Sequence, residues 1–349
     1  MRIALVNISL QPGRGSDQVT LELAERLAPL HQVTVYSLKP AADAGRGFDV
    51  VAPRGTSLQI RARFLATMRR ELAAFDVVNC HHAVISLLLP SRNLLTTYHG
   101  FRGRLNLRFG NHLGEAISRT VRRFVIRPSL GRSQAVVLVS RSLEKEAGAA
   151  GNCLPRIVYN GVAGPEQPIQ RQKPKHLLYV GRLDPDKNVR ELLATYRSAD
   201  SLPPLLVVGD GAERGELEAE FADKSIRFLG RVGRKELDSL YAEAHAFVTA
   251  STFETFCLPV IEAAHVGCPS IGYRSGSLPE VIADGRTGWL TDDFARDGAS
   301  LLRKAATLSD CERAEVERNC RDWAEGFSWD RALQQYSDLF VEIAAGPPQ

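Results

Sequence analysis

Short runs dominated by Val, Ile, Leu and Ala recur along the chain and alternate with longer stretches whose apolar residues fall at helical spacing. In the first half such runs occupy residues 2–8, 33–38, 77–80, 94–98, 135–139 and 156–159. In the second half they occupy 176–180, 204–208, 226–229, 246–249 and 270–273. Between the first two lies the stripe Val19, Leu23, Leu27 and Leu30, and a later stretch carries Leu237, Leu240, Tyr241 and Ala244, the spacing of an amphipathic helix. Strands that are nearly continuous in apolar residues, each followed by a helix, imply parallel sheets covered on both faces. The pattern occurs twice, separated by residues 161–175, which hold Pro165, Pro168 and Pro174 and no apolar period. It predicts an α/β protein of two doubly wound, Rossmann-like domains facing a central cleft, 1–164 and 165–329, with a helix over 330–345 packing back. In such sheets ligands sit beyond the carboxyl ends of the strands, so the loops there are where chemistry is sought.

Composition adds little to this picture, and charge adds one feature. The 349 residues, 44% hydrophobic and 24% charged, fit a globular protein of two average domains. The net charge of +4 is uneven: Arg102, Arg104, Arg108, Arg119, Arg122, Arg123, Arg127 and Arg132 are opposed over their span only by Glu115. A patch of this kind attracts anions. Six cysteines without a C-x-x-C pair argue against a metal framework and point to a reducing compartment. The apolar start is too short for a signal-peptide core, and no run approaches the roughly 20 residues that cross a bilayer. A cytoplasmic location is expected.

Four segments carry candidate chemistry. In Val180-Gly181-Arg182-Leu183-Asp184-Pro185-Asp186-Lys187-Asn188 a strand ends and a helix begins, and the flanking Arg182 and Lys187 suit a diphosphate, one as a fork of donors and one as a point charge. Two surface cations at an ordinary turn would look the same; Asp184 and Asp186 read as turn and N-cap residues rather than metal ligands. The second segment runs from Ser251 to Ala264. Pro259 belongs in a first helical turn, which places Glu262 in that turn or just past it and Glu254 in the preceding loop, between Phe253 and Phe256. Two carboxylates so placed can accept hydrogen bonds from a sugar, and backbone N–H groups around Cys257 and Leu258 favour an anion. An acidic helix start would account for Glu262 but not for Glu254. The third, Gly13-Arg14-Gly15-Ser16-Asp17, permits close backbone approach to a ligand or is a plain βα turn. The fourth, Thr97-Tyr98-His99-Gly100, ends a strand with a histidine that either orients a substrate oxygen or is structural.

Together these segments resemble the retaining glycosyltransferases of family 4, which have the GT-B architecture. The resemblance runs nearly end to end. It includes Gly15-Ser16-Asp17, Tyr98-His99-Gly100, Val139-Ser140, Tyr159-Asn160-Gly161-Val162, Gly181-Arg182-Leu183 with Lys187-Asn188, and Val208-Gly209-Asp210-Gly211. Phe228-Leu229-Gly230, residues 254–262, Gly267-Cys268-Pro269, Pro279-Glu280-Val281 and Phe327-Ser328-Trp329 complete it. The resemblance implies a hexosyl transfer from a nucleoside diphosphate sugar, UDP-linked or GDP-mannose, to a hydroxyl of a glycan, glycolipid or small molecule. It implies that Arg182 and Lys187 hold the diphosphate, that Glu262 binds the ribose and that Glu254 lies near the donor sugar. His99 would lie beside the transferred sugar and Asn160 near the domain junction. Gly15, Gly181, Gly209, Phe256, Cys257 and Leu258 complete the donor-binding set, and no cofactor or metal is implied. The pattern is broken at several places, one of them Leu30-His31, where a glycine-histidine is usual before the second strand. Arg14 stands where the family carries the first of two glycines, and Thr255 and Cys257 stand where glycine is common.

The arginine-rich segment falls in the domain that, by the resemblance, binds acceptors. Leu105, Leu107 and Phe109 interleave with Arg104 and Arg108. This reads either as contact with an anionic membrane surface or lipid-linked acceptor, peripheral at the inner membrane face, or as a solvated basic helix face. No nucleic-acid-binding fold accompanies the charge. The alternatives to transfer are a nucleotide-sugar epimerase and a non-catalytic sugar-nucleotide-binding subunit.

Overall fold

A computed structural model describes residues 1–10, 15–39, 47–100, 120–148, 155–167 and 169–346. Gly13, Arg14 and the basic stretch from Arg102 to Arg119 lie outside these residues, as does the side chain of Arg122. The chain divides into two compact units. One is Met1–Gly161 together with Asp330–Gln349, and the other is Val162–Trp329.

The first unit is built on a seven-stranded parallel sheet. Its strands are β1 (Arg2–Asn7), β2 (Gln32–Ser37), β3 (Asp49–Val51), β4 (Val77–Cys80), β5 (Leu94–Tyr98), β6 (Ala135–Leu138) and β7 (Arg156–Ile157), in the order β3-β2-β1-β4-β5-β6-β7. Every described residue of β4, β5 and β6 is buried, which is why these strands show no polar alternation. Helix Gly15–Leu27 buries Val19, Leu23, Ala24 and Leu27. Helix Trp329–Ala345 belongs to this unit for nearly all its length; it buries Ala332, Tyr336, Leu339, Phe340 and Ile343, and Tyr336 Oη lies 3.2 Å from Thr97 Oγ1 of β5.

The second unit holds a six-stranded parallel sheet. Its strands are β8 (His176–Val180), β9 (Leu205–Val208), β10 (Ile226–Gly230), β11 (Ala244–Val248), β12 (Ser270–Tyr273) and β13 (Gly288–Thr291), in the order β10-β9-β8-β11-β12-β13. The core joins Leu177, Tyr179, Val207, Val248 and Ile271 of the sheet to Leu192, Leu193, Phe294 and Leu302 of the covering helices.

Two strands escape the apolar pattern. Asp49–Val51 is only three residues long with no fully buried member, and Gly288–Thr291 opens on glycine and tryptophan. The strand expected over 246–249 begins two residues earlier, at Ala244, whose neighbour His245 breaks the apolar run. That of 156–159 is confined to Arg156–Ile157, pairing only with β6.

Both sheets change direction once. The order runs outward from β1 through β2 to β3, then restarts on the other side with β4; likewise from β8 through β9 to β10, then β11. Loops leaving the two central strands must diverge at such a point and open a crevice at the carboxyl end of the sheet.

Candidate functional site

In the second unit the reversal lies between β8 and β11, and the two strongest sequence motifs are the loops that leave those strands. After β8 the chain passes Gly181 and makes a 3-10 turn over Pro185–Lys187. Asn188 in the left-handed conformation (φ 52°) then redirects it into helix Val189–Arg197. Asparagine tolerates that region better than most residues. Its Nδ2 also donates to Ala250 O at 3.2 Å, tying this loop to the one after β11.

Lys187 crosses the crevice. Its Nζ donates to Glu254 Oε1 at 2.7 Å and Oε2 at 2.9 Å. Glu254 is 8% exposed, so its charge is largely removed from water and is held by Lys187. Arg182 stays on its own turn, paired with Asp184 and Asp186, and remains 45% exposed. Asp184 precedes the 3-10 turn, but its side chain does not cap it: Oδ1 accepts from the Ala212 N–H at 3.0 Å instead. The expected N-cap role is therefore corrected to a loop-to-loop tether.

After β11, Glu254 lies in the loop and helix Leu258–His265 begins with Pro259 in its first turn. Glu262 falls just past that turn, buried, with Oε1 accepting from Arg234 at 3.1 Å and Oε2 from Tyr241 Oη at 3.2 Å. Burial raises the Glu262 pKa, opposed by the Arg234 charge and the tyrosine hydrogen bond. Arg234 also reaches Asp238 at 2.9 Å and Ala163 O at 3.2 Å. Phe256 is buried edge-to-face against Phe327. Glu254 and Lys187 are thus in direct contact, whereas Glu262 has partners of its own.

Two supports of this loop were not singled out from the sequence. Gly276, at φ +56°, packs so closely that a Cβ would lie 2.5 Å from Glu254 O, and the next N–H, of Ser277, donates to that oxygen at 2.9 Å. Arg234 lies 28 residues before its carboxylate partner, a separation that signals nothing in one dimension. Gly209, expected to bind donor, has a packing reason of its own: a Cβ there would lie 1.8 Å from Gly181 O.

Cys257 is the unusual residue. It immediately precedes the helix at φ 70°, ψ 70°, where side chains are strained and glycine is not. Burial and the nearby Glu254 push its thiol pKa well up. Cys257→Val is expected to destabilise the protein by about 2 kcal/mol, since β-branching is worst tolerated at positive φ, whereas Cys257→Gly is expected to fold at least as stably. Urea unfolding of the two variants checks this; a valine variant as stable as the glycine one would contradict it.

The first unit reverses between β1 and β4. Gly15 opens the helix after β1, and Asp17, buried in its first turn, accepts from Ser9 Oγ at 2.7 Å and Asn7 Nδ2 at 3.3 Å. His99, at the end of β5, stands against His81, just past β4: Nε2 of His99 and Nδ1 of His81 are 3.0 Å apart. His81 was not singled out from the sequence, because it closes an apolar strand like any capping residue. Asn160 is buried, and its Oδ1 has no partner among the described residues.

Burial lowers the pKa of His81 and His82 and takes His99 down to about 4. In the unfolded chain these groups take up protons near pH 6.5. The stability associated with their neutral forms is therefore present above pH 6.5 and lost as pH falls toward 4, at about 1.4 kcal/mol per pH unit for each group that stays neutral in the fold. The thermal midpoint is expected to fall from pH 7 to pH 5, and to fall less in His99→Gln. Equal slopes for the two proteins would contradict the assignment.

Among the described residues no group of three or more His, Cys, Asp or Glu side chains could hold a metal ion, and no helix is long and apolar enough to cross a membrane.

Residues 165–325 match the family of glycosyl transferases group 1, and residues 13–163 match Glycosyltransferase Family 4. O-antigen chain mannosyltransferase B of Escherichia coli is 31% identical over 172 residues, 46% of this chain and 44% of that protein. A GDP-mannose-dependent alpha-mannosyltransferase of Corynebacterium glutamicum is 34% identical over 169 residues, 47% of this chain and 40% of that protein. The matches thus span less than half the length of these relatives. Sucrose-phosphate synthase from Thermosynechococcus elongatus superposes with a TM-score of 0.80 at 18% identity, covering 99% of both chains. Anabaena Alr3699/HepE in complex with UDP and glucose superposes with a TM-score of 0.75 at 16% identity, covering 98% of this chain and 100% of that one. The two α/β domains are those of the GT-B architecture.

Proposed function

We propose, from the premise that the chain carries a family 4 glycosyltransferase domain followed by a group 1 domain, that it moves a hexosyl unit from a nucleoside diphosphate sugar to an acceptor hydroxyl with retention at the anomeric carbon. The observation that carries this reading is Lys187 paired to buried Glu254 across the β8/β11 reversal, with Arg182 on the same loop as Lys187. Nζ has three donors, and Glu254 takes two, so one remains for a phosphate oxygen. Arg182, half exposed, needs only to turn from its aspartates to present its fork. The C1–O bond to the β-phosphate breaks as the acceptor oxygen bonds to C1 from the same face, and the hydroxyl proton passes to the leaving phosphate. Developing negative charge is met by the two cations and by the N-terminus of helix Leu258–His265, with no metal required. Glu262 receives the ribose hydroxyls and Glu254 the donor sugar.

The acceptor is proposed as a glycan, glycolipid or small-molecule hydroxyl, with the arginine-rich segment drawing the chain to anionic surfaces. The donor base is uracil or guanine: the Corynebacterium relative is named for GDP-mannose, and the HepE complex holds UDP. Calorimetry with UDP and GDP, then turnover of UDP-glucose and GDP-mannose in EDTA with the product anomer read by NMR, tests the reading. Binding of one diphosphate, EDTA-resistant turnover and a retained anomer are expected. Absence of binding by either nucleotide at millimolar concentration would overturn it, and an inverted product would overturn retention alone.

A further inference from the structure

His81 and His99 stand side by side just past the carboxyl ends of the neighbouring strands β4 and β5, with ring centroids 5.3 Å apart and ring planes 22° from parallel. The 3.0 Å between His81 Nδ1 and His99 Nε2 is a hydrogen-bond distance. Burial keeps both rings neutral at pH 7, so each carries one N–H, and the gap between them holds one hydrogen. Whichever ring supplies it fixes the tautomer of both.

The far side of His81 decides which. Its Nε2 is buried, in a residue 2% exposed, and has no partner among the described residues. Were His99 the donor, His81 Nδ1 would be bare, and the proton of His81 would sit on Nε2 with nothing to accept it. A buried donor left unpaired forfeits its hydration with nothing in return, and orphaned N–H groups are rarer than orphaned acceptors. With the hydrogen on His81 Nδ1, the orphaned Nε2 is only a lone pair. The backbone holds His81 in register for this, its N–H donating to Val6 O at 2.8 Å.

We propose that His81 is a positioning residue that locks His99 in the Nδ1–H tautomer, so that His99 meets a bound sugar as a hydrogen-bond donor and not as a base. Its Nε2 lone pair is spent on His81, and its other ring nitrogen, Nδ1, carries the proton. The tautomer rests on this geometry and on the neutrality of the two buried rings; its use toward a sugar rests on the function proposed above.

The test is long-range proton–nitrogen NMR of the full chain labelled with 15N-histidine at pH 7, with His99 assigned by the signals lost in His99→Gln. His99 is expected to show a protonated, pyrrole-type Nδ1 and a bare, pyridine-type Nε2. His81→Phe keeps a flat ring but removes the donor, and is expected to return His99 toward the Nε2–H form that free imidazole side chains favour. His81→Asn places an amide N–H near the lost Nδ1–H and is expected to preserve the native tautomer. Donor turnover should follow the tautomer: kcat lowered about 10-fold in His81→Phe, with KM little changed, and restored in His81→Asn. An Nε2–H form of His99 in the native protein overturns the proposal. So does a native tautomer that persists in His81→Phe. If His81→Phe does not fold, the native spectrum decides by itself. A native Nδ1–H signal in a protein that turns over no nucleotide sugar would sink the proposed function and leave the tautomer standing.

Discussion

Replacing Lys187 with alanine is expected to lower kcat/KM for the sugar donor by about 10²–10³-fold, the usual effect of removing one group that meets developing charge. The same change strips buried Glu254 of the cation that holds both its oxygens. Breaking a fully buried pair costs about 3–5 kcal/mol; because Lys187 is 20% exposed and water can reach in, about 1–3 kcal/mol is expected here. The two effects are separable. Adding Glu254→Gln to Lys187→Ala removes the stranded charge, so the double variant should regain stability without regaining turnover. Arg182→Ala offers the contrast. Its partners are aspartates on its own turn and it is 45% exposed, so turnover should fall while unfolding is unchanged within about 0.5 kcal/mol. Urea unfolding and donor turnover measured on the same four proteins check the set. A Lys187→Ala enzyme with full rate at saturating donor would end the assignment of Lys187 to the diphosphate.

Gly209→Ala is expected to be the most damaging single-methyl change near the site. Gly209 has φ +134° and sits at the carboxyl end of β9, with its N–H donating to Gly230 O at 2.7 Å. On its other side, Gly181 N–H donates to Val208 O at 3.0 Å, and the new methyl would lie 1.8 Å from Gly181 O. Backbone, not a pliant side chain, is what must move. Unfavourable φ and overpacking each cost roughly 1–3 kcal/mol, which together give about 4 kcal/mol. Because Gly181 opens the turn that carries Arg182, nucleotide binding should weaken in whatever fraction folds. Denaturant unfolding reads the first effect and calorimetry the second. A loss below about 1 kcal/mol would mean that the three strand ends yield where the geometry says they cannot.

Much of the fold is legible in the sequence because its strands are buried on both faces. The runs at 77–80, 94–98, 176–180 and 270–273 coincide with β4, β5, β8 and β12. Legibility fails where a strand is short and half-covered, as at Asp49–Val51, since burial is what writes the apolar pattern. For the candidate site, residue types in the loops after two strands and at one helix start single out Arg182, Lys187, Glu254 and Glu262 as candidates. They do not reveal who holds whom. Lys187 and Glu254 are 67 positions apart, and only the strand order makes their loops neighbours. Arg234, Gly276 and His81 are invisible for the same reason. Each acts on a partner distant in sequence, and none differs in type from residues that cap strands or fill turns elsewhere.

The division of the chain into units also sets an order of events during synthesis. Residues 162–329 are all made, and free to close their sheet, before the segment from Asp330 onward leaves the ribosome. The unit that begins first therefore cannot finish first. Its sheet waits for Tyr336, Leu339 and Phe340 to arrive and for Tyr336 to reach Thr97, 239 residues earlier in the chain. Until then the face that buries Tyr336, Leu339 and Phe340 stands open on the nascent protein, and this is the stretch of its life in which a chaperone would find it. A premature stop after Trp329 would leave that face open permanently, in a product whose second unit is complete.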